Sequence, residues 1–401
     1  MTTGCLEQLT LWNLGPQQVT VTFQGGRLVS DAGLLGIRML DKELGVLSLL
    51  GARLPDPRAQ KSIVFSRETL LTQQVYQILA GYPDCNDAQT LRKDPLFQTL
   101  LDLPADEDAK PLASGSTLAR FAQAYTRREA ELPLEDRAVL HEVASAQNQR
   151  LKILNDYLPE LFARTRREPP ATIILDLDAS DDPAHGQQVL SFYHGYYEQN
   201  QYFPLYVFDG ATGFPLAAWL RPGTVHASCG AVEILQGIVA KVEINRQGLN
   251  RRFVVTNLPE APQEVYKNFY VKRGNVPEHP IGELKNGLLS DRLSFHHFRA
   301  NAMKHLEHVM AFALVILHRE ATAAIPEVAK AEVHTLRTML WKVAALVKTS
   351  VRRVWFHFSE TWPHRELFQR VHAALLEFVA HVQRSQAGNL TAPGAASAPL
   401  M

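Results

Sequence analysis

Hydrophobic and polar positions divide the chain into three stretches of different period. Up to about residue 165, apolar residues recur at helical spacing between turn signals. Asp31 stands as an N-cap before Ala32-Gly33-Leu34-Leu35, Pro55-Asp56-Pro57 closes the helical stretch begun there, and residues 68–80 and 136–162 read as further helices. Between them a Ser/Thr cap (Ser114, Ser116, Thr117) opens a short helix that carries Arg120, with Arg127 and Arg128 after it. Such a helix start offers unpaired N–H groups and positive charge to phosphates, and a capped structural helix with solvated arginines fits the same pattern.

From Ala171 the period changes. Ile173-Ile174-Leu175-Asp176-Leu177-Asp178 is an apolar run interrupted by two acids, the pattern of a strand buried on both faces in mid-sheet. Residues 202–209 and 214–220 flank Gly210-Ala211-Thr212-Gly213 and read as a β-hairpin, and residues 251–257 read as one more short strand. Helical stretches come next at 262–269, 280–289 and 298–318, and strands succeeded by helices predict a sheet covered by helices. The last stretch, 332–384, reads as mostly helical, and its Ala/Pro/Ser/Gly tail, 387–401, as disordered. The aromatic and basic run 351–358 fits half-buried alternation and, secondarily, DNA contact.

Composition narrows the picture only modestly. The 401 residues are 46% hydrophobic and carry 41 basic and 41 acidic side chains, so any grip on a polyanion must come from local clusters. Cys5, Cys85 and Cys229 are too far apart for a zinc ribbon or a disulfide framework. The start carries no basic-then-apolar leader, and the most apolar run, 309–317, is too short to cross a bilayer. A cytoplasmic protein without a membrane partner is expected.

The chemistry gathers at two places. Strand side chains alternate faces, so Asp176 and Asp178 share one side, with Asp178 at the strand's C-terminal lip. Two carboxylates on one buried face require a metal or a basic partner, although a strand that ends in the acidic turn Asp181-Asp182 accounts for the same residues. The second place is Tyr270-Val271-Lys272-Arg273-Gly274-Asn275-Val276-Pro277-Glu278, continuing through Glu283-Leu284-Lys285. On a helix Tyr270 and Arg273 lie one turn apart, and Glu278 and Lys285 two turns apart if the helix starts at Pro277. Taken alone, this is also how a surface ion-pair network looks.

Read together, these segments resemble the insertion-sequence transposases of DDE type, specifically the group numbered thirteen-eighty. The resemblance is carried by Leu175-Asp176-Leu177-Asp178-Ala179-Ser180, His185-Gly186-Gln187-Gln188, Phe203-Pro204-Leu205, Leu220-Arg221-Pro222-Gly223, Phe253-Val254-Val255-Thr256-Asn257 and the Tyr-x-x-Arg…Glu…Lys run. Gly81-Tyr82-Pro83-Asp84-Cys85-Asn86-Asp87-Ala88 and Asp291-Arg292-Leu293-Ser294 extend it over nearly the whole chain. It implies an α/β chain: a mixed, RNase H-like sheet covered by helices (171–320), flanked by a mainly helical DNA-binding or oligomerisation region (1–165), a helical C-terminal region (321–386) and the tail.

The resemblance further implies three carboxylates that hold two Mg²⁺ ions about 4 Å apart for phosphodiester cleavage and strand transfer. Its first acid falls on Asp178, with Asp176 as a further ligand, and its Glu on Glu278. One extra residue after Arg273 keeps Glu283 as a reserve. Tyr270, Arg273 and Lys285 fall at DNA-contacting positions, to which the capped-helix reading adds Arg120, and the implied partner is double-stranded DNA at transposon inverted repeats, with a homo-oligomer admitted.

The sequence departs from the family at the middle acid. No Asp occurs between Asp209 and Asp291, and residues 227–250 provide one helix and a turn where the family has a helix, a strand and an insertion. The expectation is an internally shortened transposase homologue with impaired cleavage, or a non-cutting DNA binder or remnant that occupies transposon ends or joins active subunits. His296-His297, His305 and His308 complete no zinc signature and read as core or surface histidines, and residues 193–197 as packing near a strand edge.

Overall fold

The computed structural model describes residues 8–14, 16–22, 25–56, 58, 61, 63–106, 108–123, 149–168, 170, 173–244 and 278–391. The strand expected at 251–257, the helix at 262–269, the positions Arg127, Arg128, Tyr270 and Arg273, and the tail beyond Thr391 lie outside them.

The N-terminal region opens with a two-stranded hairpin, β1 (Gln8–Leu14) and β2 (Gln17–Thr22), so its first residues are strands where helical spacing was expected. After β3 (Leu28–Val29) come α1 (Leu34–Leu44) and α2 (Val46–Arg53), joined by Gly45 in the left-handed conformation at φ 61°. Asp31 is not the cap of α1. Its carboxylate is buried and pairs with Lys342 at 2.9 Å, which ties the helix start to the C-terminal region. In α3 (Arg67–Ala80), Ser66 accepts from the Thr69 N–H and Gly81 closes the helix at φ 91°. Next come α4 (Pro95–Leu100), whose start Asp94 caps, α5 (Gly115–Gln123) and α6 (Gln149–Thr165).

The central sheet contains β4 (Leu175–Ala179), β8 (Leu205–Asp209) and β9 (Pro215–Trp219), all antiparallel and in the order β4-β8-β9. The expected hairpin is therefore present, with Gly213 at φ 72° in its turn. Among the described residues β4 pairs with β8 alone and is half-buried, whereas β8 is buried throughout and lies between β4 and β9. Beside it lies a second antiparallel sheet, β5 (Asp182–Pro183), β7 (Gln199–Tyr202) and β6 (Phe192–His194), in the order β5-β7-β6. α6 covers β9, and Asn155 on it accepts from the Ala218 N–H at 2.8 Å. α7 (Ala231–Ile244) comes after β9.

The second half starts at the short α8 (Glu278–Gly282), which runs into a wide π-type turn at Glu283–Gly287. α9 (Phe298–Ala321) is the axis of the molecule, packed against α1, α3, α5, α6 and β9 and buried over most of its length. Helix in the final stretch is interrupted by strands: β10 (Ala345–Thr349) and β11 (Val354–Phe358) form a hairpin, and β10 also pairs with β3. α10 (Arg365–Thr391) then carries helix past residue 387, where disorder was expected. The architecture is thus mixed α/β, with many helices around four small antiparallel sheets among the described residues. No described helix is long and apolar enough to cross a membrane.

Candidate functional site

The lip of β4 is where the two acid-bearing segments meet. Asp176 faces Phe208 in the register and is buried at 2% exposure; Asp178 faces Tyr206 and is half-buried. One oxygen of Asp178 accepts from the Ala179 N–H at 2.9 Å. Beyond the strand the chain offers Ser180 and Asp181, and onto both comes Lys285: its Nζ lies 3.1 Å from Ser180 Oγ and 2.9 Å from Asp181 Oδ1. Gln199 donates to the other Asp181 oxygen at 3.0 Å. Burial acts to raise the Asp181 carboxyl, yet the Lys285 ammonium and the Gln199 amide outweigh it and hold it below the usual range.

Asp182 behaves in the opposite way. It is 1% exposed, and neither carboxylate oxygen has a hydrogen-bond partner among the described residues. Burial, with Asp291 and Asp181 nearby, pushes its carboxyl well above the ordinary value despite Lys285. The buried Tyr206 hydroxyl is raised in turn, first by burial and then by Asp182. The sequence contained the signal for this division in its adjacent Asp181-Asp182. It did not show which of the two would find the lysine.

The structure separates the two candidates for the third acid. Glu278 begins α8, its side chain lying outside the described residues. Glu283 is 6% exposed and committed elsewhere: Arg319 grips both its oxygens, one at 2.7 Å, and the Val333 N–H donates to it at 3.0 Å. An acid held this way is a structural clamp. Lys285 lies in the wide turn, so the two-turn helical spacing from Glu278 does not apply. Arg120 is exposed on α5, and its guanidinium bonds within its own helix, to the Ser116 carbonyl at 3.2 Å and to Thr117 Oγ1 at 3.5 Å. The start of α5 is packed rather than presented, because a Cβ at Gly115 would lie 2.5 Å from the Cys85 carbonyl oxygen.

Two Mg²⁺ ions need several carboxylate oxygens converging with no cation among them. Among the described residues, no group of three or more His, Cys, Asp or Glu side chains could hold a metal ion. Asp181 carries Lys285 and Glu283 carries Arg319, so the described donor set does not fit a two-metal centre.

Other sequence signals resolve into structure. Arg221 of the Leu220-Arg221-Pro222-Gly223 stretch is buried and donates to the carbonyls of Phe203 (2.8 Å), Ala227 (3.0 Å) and Cys229 (2.7 Å), and burial lowers its pKa to about 10. Gly223 is required there, because a Cβ would sit 2.0 Å from the Gln201 carbonyl oxygen. His305 and His308 are fully buried in α9, and burial drives the His305 imidazole down to about 3. Tyr193 and Tyr196 are exposed, Tyr196 meeting Tyr197 edge-on; of that run, His194 and Tyr197 lie tilted against Phe203.

No curated protein and no solved structure matches the chain. One family model does, described as transposase DDE domain group 1, over residues 13–241 and again over 236–380. These two segments take in the β4 lip, the wide turn with Lys285, and α9. They span most of the chain, which therefore belongs to the transposase DDE domain group 1 family.

Proposed function

We propose that this protein is an insertion-sequence transposase homologue that binds double-stranded DNA at transposon inverted repeats and is impaired in cutting it. The observation that carries the reading is where the family match breaks. Its two segments meet at residues 236–241, inside the stretch 227–250 that is too short for the family's middle strand, in a chain with no Asp between Asp209 and Asp291. Asp178 and Glu278 are the surviving acids under this reading, with Asp176 behind them; Tyr270, Arg273 and Lys285 are its DNA-side residues by resemblance, and Arg120 by its place on a capped helix. With one carboxylate gone and Asp181 neutralised by Lys285, the remaining residues bind and position DNA rather than cut it. A misplacement of about 1 Å is enough to cost roughly a hundredfold in rate.

The test incubates purified protein with DNA carrying the element's ends and Mg²⁺ or Mn²⁺. Retention of the DNA with little or no strand cleavage is expected. Efficient cleavage that Asp178→Ala abolishes would overturn the reading.

A further inference from the structure

The chain is neutral overall, so the question for a DNA-binding protein is which of its cations are free to meet phosphates. Most described arginines are engaged internally. Arg38 binds Asp41, Arg53 binds Glu160, Arg166 binds Glu320 and Arg319 binds Glu283, while Arg164 and Arg337 donate to backbone carbonyls. The β10–β11 hairpin differs. Its 14 residues, 345–358, include Lys348, Arg352 and Arg353 and no Asp or Glu. All three cations are exposed, and no acid among the described residues pairs with them.

The hairpin is also held firmly in place. β10 pairs with β3, the Val347 N–H donates to Arg27 O at 2.8 Å, and Phe358 packs with Trp362 and Phe368. At the tip the Ser350 N–H donates to Arg353 O at 2.8 Å, and Ser350 Oγ accepts from the Arg353 N–H at 3.2 Å, so the turn is closed by its own backbone. In the register Lys348 stands opposite Trp355, and Leu346 opposite His357 on one side and Leu28 on the other. One sheet face therefore displays a lysine, an exposed Trp (40%) and an exposed Leu28 (62%), with two arginines at its end.

We infer that the β10–β11 hairpin is a duplex-DNA contact, with Lys348, Arg352 and Arg353 placed on phosphates. A two-stranded ribbon fits a DNA groove, and charge complementarity selects a polyanion over a protein partner. This rests on the reading of the protein as a binder of duplex DNA.

The experiment measures binding of a labelled DNA duplex of arbitrary sequence across a salt series, for the wild-type chain and for the triple variant Lys348→Gln, Arg352→Gln, Arg353→Gln. Each phosphate contact contributes about 0.9 to the slope of log affinity against log salt, so losing three lowers it by about 2.7. The loss of affinity between 50 and 200 mM salt should then shrink by about 40-fold. Arg370→Gln, which removes an exposed arginine already paired with Glu327 at 3.0 Å, should leave the slope as it is. Unchanged melting temperatures confirm that these surface variants fold. If the wild type binds and the triple variant keeps its slope, or Arg370→Gln lowers it equally, the hairpin assignment is overturned alone. If the wild type does not bind duplex DNA, the proposed function falls and the hairpin contact with it.

Discussion

Replacing Glu283 by Gln decides whether that residue is a metal-holding acid or part of the scaffold. In the folded chain its two oxygens take a bidentate Arg319 grip, the Val333 N–H and, at 3.4 Å, His279 Nδ1, with Glu283 6% and Arg319 12% exposed. The substitution leaves a buried guanidinium facing an amide that supplies one acceptor and an unwanted N–H donor. Removing one partner of a buried, hydrogen-bonded ion pair costs about 3–5 kcal/mol, chiefly because the other charge remains without compensation. At about 2 °C per kcal/mol, the melting temperature should fall by about 6–10 °C. The same measurement on Asp178→Asn should show a change under about 2 °C, because Asp178 is only half-buried. A fall below about 2 °C for Glu283→Gln would refute the clamp and make Glu283 a candidate acid again.

Asp182→Asn should raise the melting temperature at pH 8, with the gain vanishing by about pH 4. Burial lifts the folded carboxyl above its unfolded value, so the folded state binds the extra proton and stability falls as pH rises through that window; a gain that is flat with pH would contradict this. Gly223→Ala should cost at least about 3 kcal/mol, because the new Cβ meets two backbone carbonyl oxygens, of Gln201 at 2.0 Å and of Phe192 at 2.8 Å, and neither can move like a side chain. A melting curve indistinguishable from wild type would show that the strands can part there.

What the sequence revealed depended on how local the physics was. β4, the β8–β9 hairpin and the helices at 67–80 and 298–321 arise from period and turn residues, and the structure has them close to those bounds. The pairing of β4 with β8 joins segments remote in sequence, which no local pattern encodes. The β10–β11 hairpin was only half legible: the alternation over 351–358 marks β11, but β10, with Val347 inward and Lys348 outward, is masked by the helical signals that bracket it. α9 shows the converse. Asn301, Lys304, His305, Glu307 and His308 suggest a solvated face, yet all are buried, because α3 brings Gln74 to receive Lys304 at 2.7 Å and Tyr202 meets Asn301 at 3.0 Å. At the site, Asp178 could be named from its place on the strand. The commitments of Asp181 and Glu283 could not, since Lys285 and Arg319 reach them from 104 and 36 residues away.

These long-range commitments also bear on whether a chain shortened near residues 227–250 would still fold. The two segments on either side of residues 245–277 are docked closely. Lys285 reaches Ser180 and Asp181, Gln188 donates to Leu293 O at 2.7 Å, the Val189 N–H donates to His296 O at 2.9 Å, and Arg166 clasps Glu320. α9 supplies apolar surface to helices and strands from both ends of the chain, and burial of this kind is the main favourable term in folding. A scaffold built from many distributed contacts tolerates the loss of one element, each contact carrying a small share of the total. Phosphodiester cleavage has no such reserve, because it needs several carboxylates converging to within a fraction of an ångström. DNA binding sides with the scaffold: each cation contributes separately, and those on the β10–β11 hairpin are anchored to β3 and α10, far in sequence from the shortened stretch. Under the proposed reading, loss of the middle acid would therefore end cutting well before it ended folding or the hold on DNA.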